Sequence, residues 1–249
     1  TPANTINAHS TEVPSCTFDE QKRIHAIAQD EIGAKLPIVH GIWADGSLEA
    51  ARIARAATED GASALLVCPP APFTLGQSSA MAVEHFKRVA EVSDLPIIAF
   101  QYPLATGQGY PNETMLKMIE EVPNLKAIKD WAGTVQQHEC HVRTLQNLDR
   151  PFNVLSTQSS WLMASLTLGC RGVLSGSGSV IPDLQVELFK AVQRGVPVDA
   201  RAAAAAATRR RQPTGSRTRR CRPPPSGPSA CPRRSRRDQS THGASPPPT

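Results

Sequence analysis

A lysine at the end of a short apolar run is the residue in this sequence best placed to do chemistry. The run reads Pro-Asn-Leu-Lys-Ala-Ile-Lys-Asp-Trp over residues 123–131 and has a helix pattern on each side. If it forms a buried parallel strand, Lys129 stands at the strand's end, where burial can keep an amine neutral and nucleophilic. Most lysines are exposed, so this stretch alone favours a solvated side chain. The residues at the other strand ends must therefore decide whether Lys129 belongs to a buried site.

Two other apolar runs end in residues that could share a site with Lys129. The first ends in Ala-His-Ser-Thr-Glu, where the hydroxyls and turn N–H groups of Ser10 and Thr11 could hold a carboxylate. The last ends in Ser-Gly-Ser-Gly-Ser, where Ser175 and Gly176 could let a ligand approach the backbone closely. Each segment, taken alone, could be an ordinary turn. Together, an amine beside a carboxylate cradle is what Schiff-base chemistry on a 2-oxo acid requires.

Seven apolar runs alternate with amphipathic helix patterns and must position these residues. The runs cover residues 4–8, 36–42, 64–69, 96–103, 125–131, 152–156 and 172–175. This alternation predicts a parallel sheet with helical crossovers, either an open doubly wound sheet or a closed eight-stranded α/β barrel. No G-x-G-x-x-G follows the first run and no P-loop is present. We therefore favour the TIM (β/α)8 barrel, whose chemistry lies at the carboxyl ends of the strands.

The composition changes sharply at residue 200. Residues 1–200 contain 15 basic and 21 acidic residues, whereas residues 201–249 contain twelve arginines, one acid and none of Val, Ile, Leu, Met, Phe, Trp or Tyr. A segment without apolar side chains cannot offset its chain entropy, so we expect a disordered basic tail. Its Arg/Pro/Ala/Ser-rich composition is typical of GC-rich codons read out of frame. The alternative is a basic arm that binds nucleic acid, which we consider the weaker interpretation.

Other site classes find little support in the sequence. The six cysteines are scattered without a CxxC pair, which argues against a disulfide framework and a zinc site. No apolar run approaches about 18 residues, so no membrane span is predicted. His138 and His141 are three residues apart on a predicted helix and could bind a metal, but the pattern places them on a polar, solvated face. We predict no metal, and we expect Asp130 to brace backbone N–H groups.

Four segments within residues 4–200 carry motifs in a recognisable order. They are Ala8-His9-Ser10-Thr11-Glu12, Phe100-Gln101-Tyr102-Pro103, Ala127-Ile128-Lys129-Asp130 and Gly169-Cys170-Arg171-Gly172-Val173-Leu174-Ser175-Gly176. Their counterparts are the G-T-T-G-E turn, the Y-N-x-P strand end, the G-I-K-[ED] strand and the G-x-x-G-V-[IL]-S-G segment of one family. The chain resembles the dihydrodipicolinate synthase / N-acetylneuraminate lyase family of (β/α)8 Schiff-base lyases.

The resemblance implies a cytoplasmic lyase that needs no metal or organic cofactor. Lys129 would form an imine with pyruvate or another 2-oxo acid, and the enzyme would make or break a C–C or C–O bond. Ser10 and the N–H of Thr11 would hold the substrate carboxylate, while Ser175 and Gly176 would line the opposite side. Members of the family are commonly homotetramers.

The chain also departs from the family pattern. The usual catalytic tyrosine falls at Phe100, which has no hydroxyl; Tyr102 lies two residues on, shares the strand face, and is our candidate replacement. The arginine of the synthase branch falls at Ala105. We therefore expect an aldolase or dehydratase branch rather than a true dihydrodipicolinate synthase.

The matched region lacks counterparts to the ends of the family's barrel. The family's first strand and helix have no counterpart before residue 4, and its last helices are replaced by residues 201–249. We predict an incomplete barrel over residues 1–200 that exposes two parallel sheet edges and folds poorly. A catalytically inactive fragment is therefore an alternative to the active lyase, and nucleic-acid binding through the tail is a third hypothesis.

Overall fold

The computed structural model describes residues 3–195, in which seven parallel strands alternate with helices. Each strand pairs with the next in chain order, forming one seven-stranded parallel sheet. This arrangement confirms the predicted incomplete TIM barrel. The strands are β1 (Asn4–Ile6), β2 (Ile38–Ile42), β3 (Ala64–Val67), β4 (Ile97–Gln101), β5 (Leu125–Asp130), β6 (Asn153–Ser156) and β7 (Gly172–Val173).

The helices begin close to the capping signals in the sequence. The sequence Thr-Phe-Asp-Glu at residues 17–20 predicts a capping box, which the structure confirms: Thr17 accepts the N–H of Glu20, whose carboxylate accepts the N–H of Thr17 at 2.8 Å. The serine at residue 47 predicts a cap for the second helix, but Ser47 instead lies inside its first turn. The helices are α1 (Phe18–Ile32), α2 (Ser47–Glu59), α3 (Ser79–Ala90), α4 (Asn112–Glu121), α5 (Val135–Leu145), α6 (Leu162–Thr167) and α7 (Pro182–Gln193).

The two faces of the sheet bury different sets of side chains. Because successive residues of a strand point to opposite faces, β4 and β5 send every second side chain toward the helices and the others toward the inside of the curled sheet. The helix-side core includes Leu65, Ile97 and Ile128. The inner face carries a smaller cluster that includes Leu66 and Phe100. The candidate site lies on this inner face.

The sheet described here is open. Among residues 3–195, β1 and β7 are the two edges and pair with each other through no backbone hydrogen bond. None of the helices in this part of the chain is long and apolar enough to cross a membrane. Residues 201–249, predicted to be a disordered and out-of-frame tail, lie outside the described residues.

Gly41 of β2 allows the turn after β1 to come close to the sheet. A Cβ added there would lie 2.6 Å from the carbonyl carbon of Asn7 and 2.8 Å from the Cα of Ala8, both backbone atoms that cannot rotate away. We expect Gly41→Ala to lower the free energy of unfolding by about 3 kcal/mol, measured by urea denaturation. Gly46→Ala is the matched control, because nothing lies within 4 Å of its added Cβ; equal losses in both variants would contradict this explanation.

Candidate active site

Lys129 is buried at the carboxyl end of β5. Its side chain faces the inside of the sheet next to Phe100 of β4, and its Nζ atom lies 4.0 Å from the centroid of the Phe100 ring. Burial lowers the pKa of the Lys129 amine to about 8, an effect that the Cys68 thiol partly opposes. At pH 8 about half of such amines are neutral, against well under 1% for an exposed lysine. The amine is therefore available as a nucleophile near neutral pH.

Phe100 and Tyr102 form an aromatic pair above the lysine. Their ring centroids lie 4.6 Å apart, consistent with the predicted shared strand face. The Tyr102 hydroxyl is buried and has no hydrogen-bond partner among residues 3–195. Burial raises the pKa of Tyr102 well above its ordinary value, so this hydroxyl stays protonated and can donate a hydrogen bond.

The turn after β1 holds the predicted carboxylate ligands, Ser10 and Thr11. Thr11 is already occupied: its N–H donates to the carbonyl of Ala8 at 3.0 Å, and its hydroxyl bonds the backbone of Ala8 at 2.8 Å. The predicted role of the Thr11 N–H therefore conflicts with the geometry of this turn. Ser10 faces Gly176, since a Cβ on Gly176 would lie 3.1 Å from the Ser10 hydroxyl oxygen. The structure thus brings the first and last strand ends together.

A cluster of serine hydroxyls extends this side of the site. The Oγ atom of Ser159, which follows β6, lies 2.7 Å from that of Ser175 and 2.6 Å from that of Ser177. Gln185 of α7 donates to the Ser177 hydroxyl at 2.9 Å. Only Ser175 was among the predicted site residues. Ser159 and Ser177 also follow strands, so the rule that pointed to Lys129 could have found them.

The other side of the site is aromatic. His9, in the turn after β1, lies within 5.5–6.2 Å, centroid to centroid, of four aromatic rings. Burial, with a smaller contribution from the nearby charge of Lys129, lowers the pKa of His9, so its ring is neutral at pH 7. His9 and the two tryptophans of this group were not among the predicted site residues, although Trp43 and Trp131 directly follow β2 and β5 and His9 lies three residues after β1. The four rings, called the aromatic wall below, are Trp43, Phe100, Tyr102 and Trp131.

Asp130, next to Lys129, points to the opposite face and pairs with two histidines of α5. Its Oδ2 atom accepts from Nδ1 of His138 at 2.7 Å and from Nδ1 of His141 at 2.9 Å. All three side chains are buried. The prediction that the two histidines lie on a solvated face is therefore wrong, as is the prediction that Asp130 braces backbone N–H groups. The two histidines of α5 lie against the sheet because they donate hydrogen bonds to the buried Asp130 carboxylate.

The pKa values of this cluster favour an ion pair. Burial alone would lower the pKa of His138, but the hydrogen bond and charge of Asp130, helped by Cys170, raise it to about 9. Burial opposes ionisation of Asp130, yet the hydrogen bonds from His138 and His141 lower its pKa below the ordinary value. At neutral pH Asp130 is therefore ionised and His138 carries a proton on each ring nitrogen.

A hydrogen-bond chain runs outward from this ion pair. His138 Nε2 lies 2.6 Å from the Ser165 hydroxyl, which donates to the Cys170 sulfur at 3.4 Å, and Cys170 in turn donates to the carbonyl of Gly172 at 3.5 Å. Asp130, His138 and Ser165 are linked in the same order as the carboxylate, imidazole and hydroxyl of a hydrolytic triad, but all three side chains are buried. Since no substrate can reach them, we regard this cluster as structural.

A curled parallel sheet with a buried amine at the carboxyl edge of a central strand defines an α/β-barrel protein with its site at the barrel mouth. The chain belongs to the dihydrodipicolinate synthetase family, whose model matches residues 5–210. The family expected from the sequence motifs is thereby confirmed.

Relatives and solved structures agree with this assignment. A 4-hydroxy-tetrahydrodipicolinate synthase from Methanospirillum hungatei is 26% identical over 184 residues, which cover 74% of this chain and 61% of that protein. An uncharacterised DapA-like lyase from Halobacterium salinarum is 30% identical over 197 residues, covering 77% and 60%. The crystal structure of dihydrodipicolinate synthase from Aquifex aeolicus superposes with a TM-score of 0.76 at 27% identity, covering 84% of this chain and 70% of that one. The chain thus spans about three-fifths of the length of these curated relatives.

Proposed function

We propose that this protein is a class I lyase that holds pyruvate or a related 2-oxo acid as an imine on Lys129. The observation that carries the proposal is the Lys129 amine, buried on the inner face of the sheet with a pKa lowered to about 8. Membership of the dihydrodipicolinate synthetase family supports it. No metal or organic cofactor is required, since the protonated imine itself withdraws electrons.

The proposed reaction uses the two sides of the site differently. The neutral Lys129 amine adds to the ketone carbon, one proton is taken up and water leaves, which gives an iminium ion. Loss of a proton from the neighbouring carbon then gives an enamine that makes or breaks a C–C or C–O bond. Ser10 and the backbone at Ser175 and Gly176 are proposed to hold the carboxylate. Tyr102 is proposed as the proton donor that replaces the hydroxyl missing at Phe100.

Borohydride trapping tests the proposal directly. The full chain is incubated with pyruvate, reduced, and analysed by intact and peptide mass spectrometry. We expect a single reduced pyruvyl adduct, located on Lys129. A folded protein that gives no adduct, or gives one on another lysine, would refute the proposed chemistry.

The pKa of Lys129 sets the pH dependence of imine formation. Below about pH 8 the amine is protonated and cannot attack, so the rate should rise about tenfold per pH unit and level off above pH 8. The measurement is the amount of adduct formed in short incubations at pH 6 to 10, each quenched into excess borohydride. A rate that continues to rise to pH 10 would show that the amine has the pKa of an exposed lysine.

The second candidate, a catalytically inactive protein, is favoured by the open sheet of residues 3–195. Unpaired parallel edges reduce stability and promote association. A sharp cooperative melt together with a pyruvyl adduct would exclude it.

We also propose a cytoplasmic homo-oligomer, following the family. Nucleic-acid binding rests on residues 201–249 and stays a prediction; it requires steeply salt-dependent affinity that is lost when these residues are deleted.

A further inference from the structure

The aromatic wall gives one half of the site an uncharged, apolar surface. Trp131 lies 5.5 Å from Tyr102 and 6.3 Å from Phe100, centroid to centroid, and Trp43 lies 5.5 Å from His9. Trp43 and Trp131 are only partly buried, so part of each residue is in contact with solvent. Partly exposed tryptophans beside a neutral imidazole form a surface on which another aromatic ring can stack.

The charges at this end of the sheet are unusually few. The seven segments that follow the strands contain no lysine or arginine, and their only acids are Glu12 and Asp45. These segments are residues 7–17, 43–46, 68–78, 102–111, 131–134, 157–161 and 174–181. Lys129, on β5 itself, is therefore the one cation that these elements bring to the mouth among residues 3–195, and in the iminium ion this charge lies next to the carboxylate of the 2-oxo acid.

A second anionic group on the substrate would have no partner here. One carboxylate can be held by the Ser10 and Gly176 side, but a further carboxylate or phosphate on the aromatic side would lose its hydration without gaining a cation. Desolvating an unpaired charge costs several kcal/mol, which a ring stacked on tryptophan does not incur. One half of the site thus suits a carboxylate, and the other half suits an uncharged aromatic ring.

We infer that the second reactant is an uncharged aromatic aldehyde, whose ring stacks on Trp43 and Trp131. This inference rests on the proposed function and names its substrate class. In the condensation direction, the enamine from pyruvate attacks the aldehyde carbon and forms one C–C bond. The proton lost from the pyruvate methyl group returns to the aldehyde oxygen, which becomes a hydroxyl. Hydrolysis of the imine takes back the water released when it formed, so no oxidant or reductant is needed.

The experiment compares two aldehydes that differ by one carboxylate. The full chain is incubated with pyruvate and either benzaldehyde or para-carboxybenzaldehyde, and the 4-hydroxy-2-oxo acid product is measured by liquid chromatography with mass spectrometry. We expect kcat/KM to be at least about tenfold higher for benzaldehyde, because the added carboxylate must be desolvated without a cation. Equal rates, or a preference for the charged aldehyde, would overturn the inference.

A binding measurement keeps this test separate from the proposed imine chemistry. Tryptophan fluorescence is titrated with benzyl alcohol and with para-(hydroxymethyl)benzoate, which need no imine to bind. Tighter binding of benzyl alcohol supports the aromatic wall even when pyruvate trapping fails, whereas equal or weaker binding counts against it even when trapping succeeds. The two failures are therefore distinguishable.

Substitution of the wall shows whether these particular rings give the selectivity. We expect Trp131→Leu and Trp43→Leu to reduce the ratio of benzaldehyde to acetaldehyde turnover by about tenfold, since a small aldehyde gains little from stacking. General damage to the fold would lower both rates together and leave the ratio unchanged. Leu48→Ala is the control variant, because Leu48 lies on α2 and is 81% exposed; a reduced ratio there, or an unchanged ratio in both tryptophan variants, would overturn the inference.

Discussion

Replacing Lys129 with methionine should abolish the borohydride-stable pyruvyl adduct and lower turnover by on the order of 10⁴-fold or more. Methionine has nearly the same length and fills the same buried space over the Phe100 ring, but it cannot form an imine. The free energy of unfolding of the variant should be at least that of the parent chain, because the substitution removes the cost of dehydrating the Lys129 ammonium group in the protein interior. Adduct mass and thermal melting measure the two effects independently.

Lys126→Met is the matched control for that substitution. Lys126 belongs to the same strand but is exposed to solvent. We expect it to keep the full adduct yield and a melting temperature close to that of the parent chain. If Lys126→Met loses the adduct, or Lys129→Met keeps it, Lys129 is not the imine-forming residue.

Replacing Asp130 with asparagine should lower the free energy of unfolding by about 3–5 kcal/mol, the usual cost of removing one partner from a buried ion pair. The ion pair with His138 would be lost, because burial lowers the pKa of the unpaired imidazole. The amide would also place an NH2 group, which needs an acceptor, where the buried Oδ1 atom has no hydrogen-bond partner among residues 3–195. Urea denaturation measures the loss. Asp149→Asn, at an exposed position, is the control and should change the free energy by no more than about 0.5 kcal/mol.

The same cluster predicts how stability depends on pH. Folding raises the pKa of His138 from 6.5 to about 9, so its stabilising contribution is complete below pH 6.5 and is lost as the pH rises through about 9. Folding lowers the pKa of Asp130, so that contribution is present above about pH 4 and is lost on acidification. Denaturation curves of the parent chain should therefore show stability falling from pH 6.5 to about pH 8. Above pH 8 the lowered pKa of the buried Lys129 amine opposes the decline. Asp130→Asn should flatten this decline, and an unchanged slope would contradict the assignment to His138.

The regular elements could be predicted because their signals are local. Alternating apolar runs located the strands, and the capping box at Thr17 located the start of α1. The spacing along the strand also placed Phe100 and Tyr102 on one face, since side chains two residues apart on a strand share a face.

The predictions failed where a side chain depends on a partner from another element. The histidines of α5 form a polar stripe, and the sequence of that helix cannot reveal that a carboxylate lies beneath it. A signal did exist: if Lys129 points inward, Asp130 must point toward the following helix, where a buried carboxylate requires donors. His9 was missed for a similar reason, since the four rings around it come from three other strand ends.

The chain of side chains from Asp130 to Gly172 has a consequence for how the molecule opens. β7 has only two residues and lies at an edge of the described sheet, where a strand of that length would ordinarily fray. Its first carbonyl is tied through Cys170, Ser165 and His138 to the strand that carries Lys129. We therefore expect the edge and the centre of the sheet to open as one cooperative unit, with the backbone amides of β5 and β7 exchanging with solvent in the same event. Loss of the edge strand would then also be loss of the buried environment of Lys129.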